Sequence, residues 1–179
     1  MRKGILCNKA GRGRYRTKRS VGNVIRYVIR EREDEDRKSD LLCWGACGAA
    51  EWGGVREVVG AFDMVQRTYS RKGSFGRYID HEVYVFSDEE QEGLGMDVAA
   101  FDRVARRMAQ DIYREGYQVV YGVHKKDGED GIHVHLAANT VSYRDGRKRR
   151  EDKARTERRQ KEYQRIVQEA IRERHAVGG

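Results

Sequence analysis

Residues 124–141 read HKKDGEDGIHVHLAANTV, and the fold is decided there. The apolar run YQVVYGVH at 117–124 leads in, the charged, glycine-rich KKDGEDG follows at 125–131, and a second apolar run starts at Ile132. Two such runs on either side of a short polar connection read as a β-hairpin. Alternate residues of a strand project to one side, so His133 and His135 share a face, with Ala137 and Asn139 further along it. Closing the hairpin brings His124 opposite them. Three converging imidazoles are a common minimal protein contribution to a metal centre with open positions. An HxH pair alone is as readily a chance pair on a strand; the third histidine across the turn and the in-phase Asn139 favour a ligand set.

Working outward from the hairpin, residues 97–115 carry Val98, Phe101, Ala105, Met108 and Ile112 at helical spacing, and Gly116 supplies the stop. Before that helix, residues 78–87 (YIDHEVYVFS) read as a strand with Ile79, His81, Val83, Val85 and Ser87 on one side. Asp80, Glu82, Tyr84 and Phe86 fall on the other. Residues 55–69 are a second helix, 41–50 a strand followed by a turn, and 4–8 a first strand. Ser20 is a good N-cap for a helix over 20–32 whose stripe is Val21, Val24, Ile25, Val28 and Ile29. Tyr27 lies roughly 130° from the centre of that stripe, so it points away from the core that the helix covers. Residues 144–174 read as a polyelectrolyte helix with a modest apolar edge of Tyr163, Ile166, Val167, Ala170 and Ile171. The element order implies an α+β fold: a central antiparallel sheet carrying the HxH hairpin, flanked by helices.

Composition narrows the function. The net charge is +8. Residues 2–19 are rich in Lys and Arg and hold no acid, while the remainder of the chain balances, so the whole positive excess sits in one segment. Such a segment reads as a contact for a polyanion, most often nucleic acid. Cys7, Cys43 and Cys47 show no framework spacing, which argues for a reducing compartment. No apolar run is long enough for a signal peptide or a membrane span, so the expected location is the cytoplasm. Three neutral imidazoles would leave a divalent cation open positions for phosphoryl oxygens, and a hydroxyl nucleophile is then needed. Tyr27, just beyond the basic segment and off the apolar stripe, is the candidate. Because ligand histidines must be neutral, activity should fade below about pH 6, near the free imidazole value.

SVGNVIRYVIRE at 20–31, followed about a hundred residues later by VHKKDGEDGIHVHLAANTV at 123–141, resembles the plasmid mobilisation relaxases of the MobP type, within the HUH endonuclease superfamily. That pattern runs from a helix bearing a nucleophilic tyrosine to a strand ending in a seryl corner, then a helix, then the histidine motif. The corner looks like Val85-Phe86-Ser87, and the motif is matched by His124, His133, His135 and Asn139. One departure is Asp127, three residues after the first histidine where the family usually has an acid at two.

The resemblance implies a nuclease domain over residues 1–150, with 151–179 as a charged appendage. It implies that Tyr27 attacks a scissile phosphate of single-stranded DNA at a plasmid transfer origin. A 5′-phosphotyrosyl bond forms and a 3′-hydroxyl leaves. His124, His133 and His135 would hold Mg²⁺ or Mn²⁺, with Glu82 as an acid near the nucleophile and Asn139 bonded to a ligand or to DNA. Arg12, Arg14, Arg16, Lys18, Arg19, Arg71, Lys72 and Arg77 would hold the DNA backbone, and accessory mobilisation proteins are an open further class of partner. The alternatives are a rolling-circle replication or transposition nuclease of the same superfamily, a nuclease using water, and a non-catalytic DNA-binding module. The tyrosine preceding the histidine motif argues against the replication initiators.

Overall fold

The computed structural model describes residues 3–8, 15–30, 40–51, 53–69, 76–125, 131–150 and 152–177. Five strands, β1 (Ile5–Asn8), β2 (Leu41–Cys47), β3 (Ile79–Val85), β4 (Val119–Lys125) and β5 (Ile132–Asn139), form one sheet in the order β1-β3-β5-β4-β2. Every neighbouring pair is antiparallel. The expected hairpin is β4–β5, and β5 is the central strand. Helices α1 (Lys18–Val28) and α2 (Val55–Tyr69) cover one face; α4 (Val98–Arg114) and α5 (Lys153–Val177) cover the other, with the short α3 (Asp88–Gly93) following β3.

Helices on both faces explain why the inner strands are buried almost throughout rather than alternately. On the first face, Val21, Val24, Ile25 and Val28 of α1 join Val58 and Phe62 of α2 over Ile79, Val120 and Ala137. On the second, Phe101, Val104, Met108 and Ile112 of α4 lie against Tyr84, Tyr121, Val134 and Leu136. The residues that alternate with these carry the site, because His133 and His135 share the α1 face with Ala137.

Boundaries differ from the sequence expectation where local chemistry decides them. Helix α1 begins earlier than Ser20: Thr17 is the N-cap, and its side chain accepts from the Ser20 N–H. Helix α3 went unread in the sequence; Ser87 and Glu90 close a reciprocal capping box at its start, so the seryl corner is a helix cap. At the C-terminal end, Val141 bridges to Lys148 and the helix starts only at Lys153. Its apolar edge docks as the spacing suggests, with Tyr163, Ile166, Val167, Ala170 and Ile171 all inside the core beneath β3 and α4. Gln160 and Gln164 also donate to the Gly4 carbonyl beside β1. The expected division at residue 150 therefore has no counterpart in the packing: α5 is a wall of the same core.

Candidate active site

The β4–β5 register sets His124 opposite His133, and Gly122 opposite His135. Ring centroids are 5.6 Å apart for His124 and His133, 4.5 Å for His124 and His135, and 4.7 Å for His133 and His135. One ring nitrogen of each lies within 4.8 Å of the other two.

Hydrogen bonds behind the rings settle which nitrogens face inward. His124 Nε2 lies 2.7 Å from the Val28 carbonyl oxygen at the end of α1. A carbonyl only accepts, so Nε2 carries the hydrogen and Nδ1 keeps its lone pair. His135 Nδ1 lies 2.9 Å from His81 Nε2. The remaining atoms, His124 Nδ1 and His135 Nε2, are buried with no hydrogen-bond partner. Two orphaned imidazole nitrogens in one cluster are the signature of a cation site, since buried polar atoms are otherwise paired. The donor set fits a divalent metal.

Burial favours the neutral form of His124 and His135. It pushes the His124 pKa down to about 4, helped by the charges of Arg30 and His133 and opposed by the Val28 carbonyl. Burial, then the neighbouring imidazoles, drive His135 down further still. For these two rings the expectation of fading near pH 6 is therefore revised: both stay deprotonated well below the free imidazole value. The cost appears as acid sensitivity of the metal-free protein. Between about pH 6.5 and pH 4 the unfolded chain protonates His124 and the folded chain does not, so acid favours unfolding by about 3 kcal/mol across that window. Urea midpoints of metal-free protein at pH 7.5 and pH 4.5 measure this; equal midpoints would contradict it.

Tyr27 meets the cluster from α1. Its ring is edge-on to His135 at 5.1 Å, His81 at 5.9 Å and His124 at 6.1 Å. Arg30 holds the ring from the other side, its guanidinium carbon 4.4 Å from the ring centroid. Arg30 is in the left-handed region, φ 54°, and this turn folds it back over the tyrosine. Asp40 fixes the guanidinium with two bonds of 3.0 Å. A third bond, of 3.3 Å, runs from Arg30 Nη1 to the Tyr27 carbonyl.

The close seat of α1 depends on Gly122. A Cβ there would stand 2.2 Å from the Val28 carbonyl oxygen and 3.1 Å from His124 Nε2. Gly122→Ala should lift the end of α1, break the Val28–His124 bond, and cost about 1–3 kcal/mol of stability together with metal affinity. Unfolding and Mn²⁺ titration check it; a variant matching the parent in both would show that the contact is unimportant.

Two expected catalytic residues lie elsewhere. Glu82 projects to the opposite face, because it alternates with His81 along β3. There its carboxylate accepts from Arg149 at 2.9 Å and Arg159 at 2.7 Å. Burial alone would raise its pKa, but the two guanidinium groups more than offset that and hold it below the usual range. The thickness of the sheet separates Glu82 from Tyr27, so it is a buried structural anion. Asn139 is on the correct face but four residues beyond His135. It accepts from Gln66 at 3.0 Å and donates to the Phe62 carbonyl at 3.1 Å and to Gln118 at 2.9 Å. It therefore fastens α2 to the sheet.

Of the expected DNA contacts, Arg16, Lys18 and Arg19 are exposed at the start of α1, the helix that carries Tyr27. Arg77 is paired with Asp80. Arg12, Arg14, Arg71, Lys72 and Asp127 lie outside the described residues. Sequence reasoning missed His81 and the Arg30–Asp40 pair as neighbours of the site. The helical spacing of Tyr27 and Arg30 was a readable signal for one of them.

Among the described residues no helix is long and apolar enough to cross a membrane. A family model described as relaxase, MobA/VirD2-like, nuclease domain, matches residues 27–171. No curated protein matches the chain.

Proposed function

Since the chain belongs to the MobA/VirD2-like relaxase nuclease family, whose members nick DNA, we propose that it cuts and rejoins one DNA strand at a plasmid transfer origin by tyrosine transesterification. The observation that carries this is Tyr27 edge-on to His135 at 5.1 Å, within a cluster that holds two unpartnered imidazole nitrogens. His124, His133 and His135 would hold Mg²⁺ or Mn²⁺. When bound, the cation stabilises negative charge on the non-bridging oxygens of the scissile phosphate.

The protein's own groups do the rest. Arg30 and the histidine rings hold the Tyr27 ring beside the cluster. The Tyr27 oxygen attacks phosphorus, the P–O3′ bond breaks, and the 3′-oxygen leaves with a proton as a free hydroxyl. The phenol proton is given up in exchange, so charge is conserved. Because one phosphodiester replaces another, the 3′-hydroxyl can attack in reverse and restore the strand, which attack by water would not allow. Arg16, Lys18 and Arg19 supply positive charge for the backbone beside the nucleophile helix.

The test is incubation with labelled single strands plus Mn²⁺, followed by a denaturing gel. A protease-sensitive shifted band, with a fragment ending in a free 3′-hydroxyl, supports the proposal. Cleavage without a shifted band would favour a water-using nuclease, and retardation on native gels alone a binding module.

A further inference from the structure

We propose that His81, on β3, is a positioning residue of the metal centre: it accepts the Nδ1–H of His135 and so holds His135 with its Nε2 lone pair facing the cation. This rests on the metal-centre reading above.

His81 is 6% exposed and His135 4%, so both rings lie largely out of solvent. The register places His81 opposite Ala137, diagonal to His135, and the two rings approach at 5.1 Å with 33° between their planes. Their shared bond is 2.9 Å long. On its far side, His81 Nδ1 lies 3.4 Å from the Tyr15 hydroxyl. Tyr15 is itself tied to β3, since its carbonyl accepts from the Tyr78 N–H at 2.9 Å.

Two neutral imidazoles sharing one hydrogen bond have two polarities. In one, His135 donates from Nδ1 to His81 Nε2. His81 then carries its own hydrogen on Nδ1, directed at the Tyr15 oxygen, and His135 Nε2 is bare. In the other, Tyr15 donates to His81, His81 donates to His135, and His135 presents an N–H to the cluster. Only the first polarity permits ligation. Partners behind a ligand histidine fix its tautomer and orientation, and their loss typically costs roughly 10- to 100-fold in metal affinity. A backbone carbonyl does this for His124; His81 does it for His135. Because this partner is a neutral ring, the centre keeps the full positive charge of the cation for the phosphate.

The experiment compares Mn²⁺ affinity in the full chain and in His81→Leu, His81→Gln and Tyr15→Phe, with melting of the metal-free proteins as control. His81→Leu should weaken binding roughly 10- to 100-fold. His81→Gln, whose amide oxygen reaches where Nε2 stood, should restore it to within a few-fold of the parent, and Tyr15→Phe should lose the least. Leu binding as tightly as His, or Gln losing as much as Leu, overturns the inference while leaving the metal centre intact. A parent chain that fails to bind Mn²⁺ overturns both. Should His81→Leu not fold, imidazole ¹H–¹⁵N spectra of the Mg²⁺-saturated parent decide: a His135 hydrogen on Nδ1 agrees, and one on Nε2 overturns the assignment.

Discussion

Tyr27→Phe should abolish covalent capture of single-stranded DNA and leave DNA binding close to that of the parent. Only a hydroxyl is removed. The ring still packs edge-on to His81, His124 and His135 and still stacks under Arg30, so fold and metal affinity should be unchanged. What would be lost is the proposed nucleophile, held in place. Positioned groups reach effective molarities of about 10⁵ M or more, and water entering the same site has no such advantage. The adduct should vanish and residual cleavage should fall by at least about 10³-fold. Labelled oligonucleotide, Mn²⁺ and a denaturing gel give the readout. A persisting adduct would move the nucleophile to another tyrosine, first of all Tyr15, whose hydroxyl lies 3.4 Å from His81 Nδ1.

The second large effect is on stability. The Arg149 side chain is fully buried and bonds Asp80 at 3.0 Å and Glu82 at 2.9 Å. Arg149→Met would leave two buried carboxylates with one fewer counter-charge, Asp80 keeping only Arg77 and Glu82 only Arg159 among the ion pairs described. Breaking a buried pair from one side costs about 3–5 kcal/mol, a large share of a domain's usual 5–15 kcal/mol or so. Neutralising Asp80 as well, in Arg149→Met with Asp80→Asn, should recover much of the loss, because one charge of each sign is then removed and Glu82 keeps Arg159. Urea unfolding of the single and double variants measures it. A further variant tests the corrected place of Glu82: Glu82→Gln should lower the unfolding midpoint while each folded molecule still forms its DNA adduct at the parent rate. A specific loss of adduct formation in a fully folded Glu82→Gln would return that residue to the chemistry.

The hairpin and the off-stripe tyrosine were legible in the sequence because each rests on a local period. Alternation along β5 puts His133 and His135 together, and the helical wheel turns Tyr27 away from Val24 and Val28. Glu82 shows where such reasoning stops. Alternation says that Glu82 and His81 face opposite ways, but β3 is covered on both sides, so its pattern does not say which side holds α1. Asn139 shows a second limit: sharing a face says nothing of distance along it, and four residues of strand span about 13 Å. His81 reaches His135 only through the β3–β5 register, which joins segments far apart in the chain. Arg30 reaches Tyr27 only through a left-handed turn at a residue type that seldom adopts one. The late start of α5 was hidden because residues 144–152 are as charged as the helix that follows.

A centre assembled from α1 and from β5 cannot exist while the polypeptide is still being made. When α1 leaves the ribosome its tyrosine faces no cation, and the strand that completes the trio must later insert between β3 and β4. Pairings this distant in sequence carry a loop-closure cost and are slow to form. On the proposed reading, the nascent chain cannot cut until β5 has joined β3 and β4, an ordering imposed by topology with no inhibitor required.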